Sequence, residues 1–196
     1  RMAPPQSRVL GLVGAGKQAR GHLVALADLF PLEQIRIFGR GEANIDRLAR
    51  LASELGLTPV ICDAAKDAIT DADIVVSSVT LSYDAKPFVD ARWMKPGAFA
   101  AITDAATPWC RTHMKSFGRI IIDDLEQERE NPRKMVDPDL VEGDLASLVG
   151  QRDHPHPDPA KPSAFVFRGM AIGDFAIASL AYERARALDL GRSVSW

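Results

Sequence analysis

The residues best suited to chemistry form a short glycine-rich pattern, Gly14-Ala15-Gly16-Lys17-Gln18-Ala19. Gly14 permits a tight turn, and Gly16 lets a diphosphate approach the backbone because no Cβ stands in its way. Ala19 occupies the place where a small residue keeps a helix close to a sheet. An apolar run precedes the pattern and a helical sequence follows it, so free N–H groups at the helix N-terminus are predicted to face phosphate. The pattern therefore predicts a dinucleotide site around Gly14, Gly16 and Ala19.

The end of the second apolar run, Phe38-Gly39-Arg40-Gly41, indicates which dinucleotide is bound. Sites for NAD usually place Asp or Glu here, where the acid accepts hydrogen bonds from the adenosine ribose. The first acid in this chain comes later, at Glu42, while Arg40 offers a planar fork of donors suited to a 2′-phosphate. The sequence therefore favours NADP(H) over NAD(H), with Gly39 and Arg40 in contact with it. The alternative is that Arg40 is a solvated cation beside a helix.

Polar residues follow three later apolar runs, as Ser78-Val79-Thr80, Thr103-Asp104 and Asp123-Asp124. In an open parallel sheet, ligands lie beyond the carboxyl ends of the strands, so these residues are expected at one edge. Asp104 is the candidate for proton transfer beside a nicotinamide, but it could instead cap a helix that begins in the sequence DAATPW. Asp123-Asp124 is predicted to cap the LEQERE helix, because acids suit a first helical turn.

These residues need a sheet to position them. Apolar runs that alternate with helical patterns lie at 9–14, 35–40, 58–62, 73–80 and 119–123, and further strands follow the Pro96-Gly97 turn and a proline-rich surface loop at 150–163. The runs are continuous rather than alternating, as in parallel strands that are covered on both faces. The order of elements predicts a Rossmann-type, doubly wound α/β fold with a mostly parallel sheet.

A long C-terminal helix completes the predicted elements. It extends from Met170 to about Leu188 and is apolar around most of its circumference. Such a helix is expected to be buried against a large surface.

Composition limits the partners and the location. The chain has 196 residues and a formal net charge of −2, so no basic surface points to nucleic acid, and no apolar run approaches a membrane span. Cys62 and Cys110 are too few for a disulfide framework, and the opening RMAPPQS lacks a secretion signal, so we expect a reducing, cytoplasmic setting. His154 and His156 lack further ligands, and no metal site is predicted.

Several segments occur in an order that resembles one known family. They are GLVGAGKQARGHLVAL, ADIVVSSVT, WMKPGAFAAI, IIIDDLEQE, GDLASLVG and FRGMAIGDFAIASLAYERA. Together they resemble the ornithine cyclodeaminase and mu-crystallin family from about Val9 to Ala187. The last two segments are the most specific, because the first is shared by Rossmann domains in general.

The resemblance implies a nicotinamide cofactor and a small amino- or imino-acid substrate. Members of the family include cyclodeaminases, amino-acid dehydrogenases, ketimine reductases and opine-type synthases. Matching positions imply cofactor contacts at Lys17, Gln18, Arg40 and Thr80, and at Ala100, Ala101, Ile102 and Thr103. The segment Arg168-Gly169-Met170 matches a stretch that passes close to the nicotinamide, so Gly169 and Met170 are also predicted contacts.

Two departures from the family pattern bear on function. The position of the cyclodeaminase catalytic aspartate falls on Ala106, and the nearest aspartate, Asp104, lies two residues earlier. This favours an NAD(P)-dependent reductase or dehydrogenase with Asp104 as its acid. Cyclodeamination of ornithine or a similar diamino acid, and NADPH binding without catalysis, remain as alternatives.

The second departure is the short segment before the first strand. Proteins of this kind carry a substrate and dimerisation domain of roughly a hundred residues there, within the usual size of a domain. We therefore expect a residual segment at 1–7, a Rossmann domain at 8–168 and a joining helix at 169–196. A homodimer, or a pairing with a chain that carries the missing domain, would complete the site; a fragment, a split subunit and a degenerate cofactor binder all stay open.

Overall fold

Eight parallel strands form one sheet in a computed structural model that describes residues 2–150, 158–192 and 194. The strands are β1 (Val9–Val13), β2 (Gln34–Phe38), β3 (Thr58–Ile61), β4 (Ile74–Ser77), β5 (Phe99–Ile102), β6 (Arg119–Ile122), β7 (Val141–Asp144) and β8 (Ser163–Val166). Their order is β3-β2-β1-β4-β5-β8-β6-β7. The chain builds outward from β1 to β3 and then returns to place β4 beside β1, which opens a crevice at the carboxyl ends of β1 and β4. The predicted Rossmann-type fold is confirmed.

Helices connect the strands and cover the sheet. Those in the described residues are α1 (Lys17–Leu29), α2 (Glu42–Glu54), α3 (Ala65–Ile69), α4 (Leu125–Glu130), α5 (Leu145–Gly150) and α6 (Ala171–Ala187). Leu48 and Ala52 of α2 lie four residues apart and are both buried. Gly56, with φ +78, follows α2 in the left-handed conformation that commonly ends a helix.

Two hydrophobic cores lie on the two faces of the sheet. Leu10 and Leu12 of β1 belong to one core, which also contains Leu23 of α1 and Leu48 of α2. Val13, the next residue of β1, belongs to the other core together with side chains of α3. Because both faces are covered, the central strands carry continuous apolar sequences, as predicted.

The segment around β7 was not predicted as a strand. Its sequence VEGD contains two acids and a glycine, so it lacks the apolar run of the other strands. Asp144 ends β7 and caps the next helix, because its Oδ1 accepts a hydrogen bond from the Ser147 N–H at 2.8 Å. The Gly-Asp-Leu motif is thus a strand end joined directly to a helix start.

The C-terminal helix α6 forms close to its predicted bounds, but none of its residues is buried. Ile172 and Phe175 are about 70% exposed, at 69% and 72%. The described residues therefore do not supply the surface against which the sequence predicts this helix to pack. None of the described helices is long and apolar enough to cross a membrane. Residues 151–157 of the proline-rich loop, which include His154 and His156, lie outside the described residues.

Candidate functional site

A cavity of about 580 Å³, the first cleft, lies at the carboxyl ends of β1, β2 and β4. The glycine turn at 14–16 forms its floor, the end of β2 at 38–41 forms one end, and residues 78–80 after β4 form a wall. Thr107 and Pro108 after β5 close the other end. The cleft therefore occupies the crevice where a doubly wound sheet receives a ligand.

The two glycines of the turn, Gly14 and Gly16, are required for different reasons. Gly14 has φ +106, its N–H donates to the Phe38 carbonyl at 2.8 Å, and a Cβ on it would lie 2.6 Å from the Ser78 carbonyl oxygen. A side chain at Gly14 would therefore disrupt the turn itself. Gly16 has an ordinary φ of −79, and a Cβ there would meet nothing within 4 Å. Since Gly16 lines the first cleft, a side chain at this position would enter the space of a ligand.

The start of α1 gives the glycine turn a positive electrostatic potential. Gly16 is the N-cap residue of α1, and no side chain caps its N–H groups. The helix carries no acid in its first turn, while Lys17 is exposed there. Free N–H groups, the positive end of the helix dipole and an open backbone together suit a diphosphate. The residues of the turn therefore fit the dinucleotide that the sequence predicts.

The Arg40 end of the first cleft is basic. Arg40 is exposed at the end of β2 and lines the cleft, as predicted, together with Gly39. Lys86 is also exposed and lines the same cleft, as does Asn44, whose Oδ1 accepts a hydrogen bond from Arg47. Glu42 begins α2 and does not line the cleft. The basic character fits a ligand with a phosphate on its adenosine ribose.

Lys86 belongs to a loop that lines the first cleft and that sequence patterns do not indicate. The dividing loop, residues 82–88, lines the first cleft with Ser82, Ala85, Lys86 and Phe88. The ring of Phe88 packs on Phe38 of β2 with 6.1 Å between centroids, which anchors the loop. Its residues come some seventy positions after the glycine pattern and follow no recognised spacing. The signal that could have found them is their place directly after β4.

A second cleft of about 470 Å³ adjoins the first. The dividing loop forms part of its wall with Tyr83, Asp84 and Pro87, and Thr107 lines both clefts. Ala106, where the family resemblance implies a catalytic aspartate, lines this second cleft and is almost fully buried. The backbone there is unusual, since Ala105 and Ala106 both have left-handed φ values of 51 and 56. Two successive non-glycine residues in this conformation store strain, which is typical of functional sites.

Asp104 lies beneath the clefts and lines neither of them. Its side chain is 1% exposed, and its carboxylate accepts hydrogen bonds from the Ser77 hydroxyl at 3.1 Å and the Val79 N–H at 3.2 Å. The Trp109 indole donates in turn to the Ser77 hydroxyl at 2.9 Å. Burial raises the pKa of Asp104 from 3.8 to about 6, against the opposing effect of these hydrogen bonds. The alternative role as a helix cap is wrong, because residues 105–108 form a turn and no helix begins at Asp104.

The remaining predicted residues fall into three groups. Thr80 lines the first cleft, whereas Lys17 and Gln18 lie on the exposed first turn of α1 and Ala19 is buried beneath it. Gly169 and Met170 line neither cleft; the Gly169 N–H donates to Asp123 Oδ2 at 2.8 Å, which ties the start of α6 to β6. These positions stay predictions.

The predicted cofactor contacts at 100–102 fall within the central strand β5 and stay predictions. Ala100 and Ile102 are 0% exposed in one core, and Ala101 packs against the other, because β5 is paired on both sides by β4 and β8. The structure therefore assigns these three side chains to the sheet interior. Thr103, the next residue, donates from its hydroxyl to the Ser77 carbonyl at 3.0 Å and so joins β5 to β4.

Asp124 has the capping role that the sequence predicts. It is the N-cap of α4, and its Oδ1 accepts a hydrogen bond from the Gln127 N–H at 2.9 Å. Asp123 instead points to the start of α6. Among the described residues, no group of three or more His, Cys, Asp or Glu side chains is arranged to hold a metal ion.

The sequence matches the model of the ornithine cyclodeaminase/mu-crystallin family over residues 1–189. The chain belongs to this family. A curated relative, the ketimine reductase mu-crystallin of Macropus fuliginosus, is 26% identical over 188 residues, which are 93% of this chain and 57% of the relative. The chain thus spans somewhat more than half the length of this family member.

Two solved structures share the fold of this chain. One is the Δ1-pyrroline-2-carboxylate reductase of Thermococcus litoralis in complex with NADH and L-proline, with a TM-score of 0.81 and 21% identity. The other is an archaeal alanine dehydrogenase dimer with bound NAD, with a TM-score of 0.82 and 21% identity. They cover 98% and 100% of this chain, and the matched parts are 62% of each relative.

Proposed function

We propose that this chain binds NADP(H) and serves an oxidoreductase that interconverts a small amino acid and its imino acid. The observation that carries the proposal is the first cleft, in which the glycine turn, the open position at Gly16 and the exposed Arg40 line one cavity. The relatives named above, a ketimine reductase, a pyrroline carboxylate reductase and an alanine dehydrogenase, support an imino- or amino-acid substrate.

The residues of the first cleft would orient the coenzyme. A bound nicotinamide coenzyme supplies a hydride to the imino carbon, or accepts one from the amino acid. The free N–H groups of α1 would hold the diphosphate at Gly16, and Arg40 would hold the 2′-phosphate. With these two points fixed, the far end of the cleft at Thr107 is where the nicotinamide would meet the substrate, beside the second cleft.

Asp104 supports this arrangement from below. Its carboxylate links Ser77 at the end of β4 with the Val79 N–H, and residues 78–80 form a wall of the first cleft. We propose that Asp104 is a positioning residue for that wall. The proton-donor role predicted from the sequence stays untested, and it would require the carboxyl to turn away from Ser77 and Val79 towards a cleft.

A reductase or dehydrogenase is favoured over a cyclodeaminase because of Ala106. Its methyl group lines the second cleft at the position where the family resemblance implies a catalytic carboxylate.

The proposal also includes a homodimer, in which a second copy covers the apolar surface of α6. Binding of NADPH without turnover of any cyclic or linear imino acid would favour the non-catalytic alternative.

The decisive experiment replaces Gly16. Because Gly16 has an ordinary φ and open space in front of it, Gly16→Val should fold normally, while its branched side chain occupies the place of the diphosphate. We expect NADPH affinity to fall at least tenfold, as measured by nicotinamide fluorescence. Gly21→Ala is the matched control, since Gly21 lies in α1 and also has nothing within 4 Å of a Cβ. Equal NADPH affinity in Gly16→Val and Gly21→Ala would refute the site.

Replacement of Arg40 tests the choice of coenzyme. Arg40→Asp removes the cation and supplies an acid of the kind that accepts hydrogen bonds from an adenosine ribose. We expect NADP⁺ affinity to fall and NAD⁺ affinity to rise, so that their ratio moves at least tenfold towards NAD⁺ in calorimetric titrations. Arg47→Asp is the control, because Arg47 lies on α2 behind Asn44 and does not line the cleft. A ratio that shifts equally in both variants would show that Arg40 does not contact the ribose phosphate.

A further inference from the structure

The second cleft is bordered by an excess of positive charge. Four basic side chains line it, together with one acid, Asp84; the basic residues are Arg111, Arg133, Lys134 and Arg168. They come from two stretches of chain and from the end of β8, so no run of basic sequence indicates the cluster. The cleft meets the first cleft at Thr107.

Arg168 forms the rigid base of this cluster. Its guanidinium makes an ion pair with Glu128 at 2.6 Å, and both side chains are largely buried. The same guanidinium donates to the Arg133 carbonyl at 2.7 Å, so it fixes the backbone at Arg133. Because Glu128 neutralises Arg168, this pair adds little net charge to the cleft.

Arg111 and Lys134 fix the same segment without losing their charge. Arg111 donates to the carbonyls of Lys134 and Val136 at 2.8 and 3.1 Å. Lys134 Nζ donates to the carbonyls of Glu128 and Arg129 at 2.7 and 2.6 Å. Carbonyl oxygens are neutral, so these contacts hold both cations in place but leave their charges uncompensated.

Arg133 is the cation presented most openly. It is exposed, and its guanidinium lies over the ring of Tyr83 in the dividing loop, 4.6 Å from the ring centroid. Among the described residues, the Arg133 guanidinium has no hydrogen-bond acceptor, so its planar fork of N–H donors is available to an anion. Within the described part of the chain, Arg111, Arg133 and Lys134 have no ion pair with a carboxylate.

We propose that the second cleft binds a side-chain carboxylate of the substrate, so that the substrate is a dicarboxylic imino or amino acid. This inference rests on the proposed function, because it places the substrate beside the nicotinamide end of the first cleft. Three cations that have no ion-pair partner in the described residues line the second cleft together with one acid, so the positive excess is larger than the charge of a single carboxylate. A cavity of about 470 Å³ has room for the whole of such a small molecule.

Calorimetry with paired ligands tests the inference. The wild-type chain is first saturated with NADP⁺, and L-glutamate is then compared with L-glutamine, and L-aspartate with L-asparagine. Each pair has nearly the same shape and differs by one carboxylate. We expect the acid of at least one pair to bind tenfold or more tightly than its amide, and the difference to shrink as NaCl is raised.

Substitution of Arg133 assigns the preference to the second cleft. Arg133→Gln should reduce the acid-to-amide ratio to near one, and Arg133→Lys should retain part of it, because the charge stays while the planar fork is lost. Arg129→Gln is the matched control, since Arg129 is an exposed cation on α4 that does not line the cleft. Circular dichroism of each variant checks folding.

The outcomes separate the two proposals. Failure of NADP⁺ to bind the wild-type chain would overturn the proposed function. With NADP⁺ bound, equal affinities within both pairs, no detectable binding of either acid, or an unchanged preference in Arg133→Gln would overturn the carboxylate subsite and leave coenzyme binding in place. A preference that survives in Arg129→Gln and is lost in Arg133→Gln supports the subsite.

Discussion

Asp104 shows how a single residue couples stability to the site. Its carboxyl is enclosed by Ser77, Val79 and the Trp109 network, where a negative charge loses most of its hydration. Burial is the largest cause of its raised pKa of about 6, and the hydrogen bonds only partly oppose it. The folded protein therefore holds the Asp104 proton more tightly than the unfolded chain does, and folding is most favourable when this carboxyl is neutral.

Removal of this carboxyl should change the pH profile of stability. Between the unfolded pKa of 3.8 and the folded pKa of about 6, the wild type loses stability with rising pH, by about 3 kcal/mol at most. Asp104→Asn has no such proton to lose. We therefore expect the free energy of unfolding of the wild type, minus that of Asp104→Asn, to fall as pH rises from 4.5 to 7. Urea titrations at four pH values measure it.

The control for this comparison is Asp46→Asn, which removes an exposed carboxyl from α2. A difference that stays constant across the pH range for Asp104→Asn would contradict burial as the cause of the raised pKa. As a positioning residue, Asp104 should also affect coenzyme affinity through residues 78–80. We expect Asp104→Asn to weaken NADPH binding modestly and to leave the ratio of NADP⁺ to NAD⁺ affinity unchanged.

At the scale of elements, the glycine turn and the strands around it were predictable, because their signals are local. The pattern from Gly14 to Ala19 can be interpreted from its flanking strand and helix alone. Strands covered on both faces of the sheet are recognised by their continuous apolar sequence. β7 was missed because its pairing with β6, and not its composition, makes it a strand. The sequence does not indicate the basic second cleft, because its basic residues come from three separate segments of the chain.

The helix α6 marks a different limit of sequence-based prediction. The apolar residues around its circumference correctly predict a helix, but they do not identify the surface that covers this helix. In the described residues the helix contributes exposed apolar area in place of core. Exposed apolar patches of this kind usually mark a contact with another protein surface.

Polar substitutions on α6 test this interpretation. Ile172→Gln combined with Phe175→Gln replaces two exposed apolar side chains with polar residues that favour helices. The two side chains are 69% and 72% exposed. We expect the free energy of unfolding of the dilute chain to change by less than about 0.5 kcal/mol. Association at high concentration, measured by sedimentation velocity, should weaken. Leu29→Gln at the exposed end of α1 is the control, and a destabilisation of roughly 2 kcal/mol or more would show that α6 packs on its own chain.

The whole molecule places its two clefts side by side at one edge of the sheet. The first runs from Arg40 past the glycine turn to Thr107, and the second continues from Thr107 to the basic cluster at Arg133. This arrangement follows from the strand order, because β2, β1, β4, β5, β8 and β6 present their carboxyl ends in succession. The two ligands proposed above, a coenzyme in the first cleft and a small acidic molecule in the second, would then meet near Thr107.

The dividing loop gives this geometry a thermodynamic consequence. Ser82 and Lys86 belong to one cavity while Tyr83 and Asp84 belong to the other, so a ligand on either side selects among the same loop conformations. Linkage then makes the two occupancies interdependent, and the factor by which one ligand alters the affinity of the other is identical in both directions. We expect that factor to differ from one, so that the affinity measured for either ligand depends on whether the other is already bound, although either order of addition leads to the same final state.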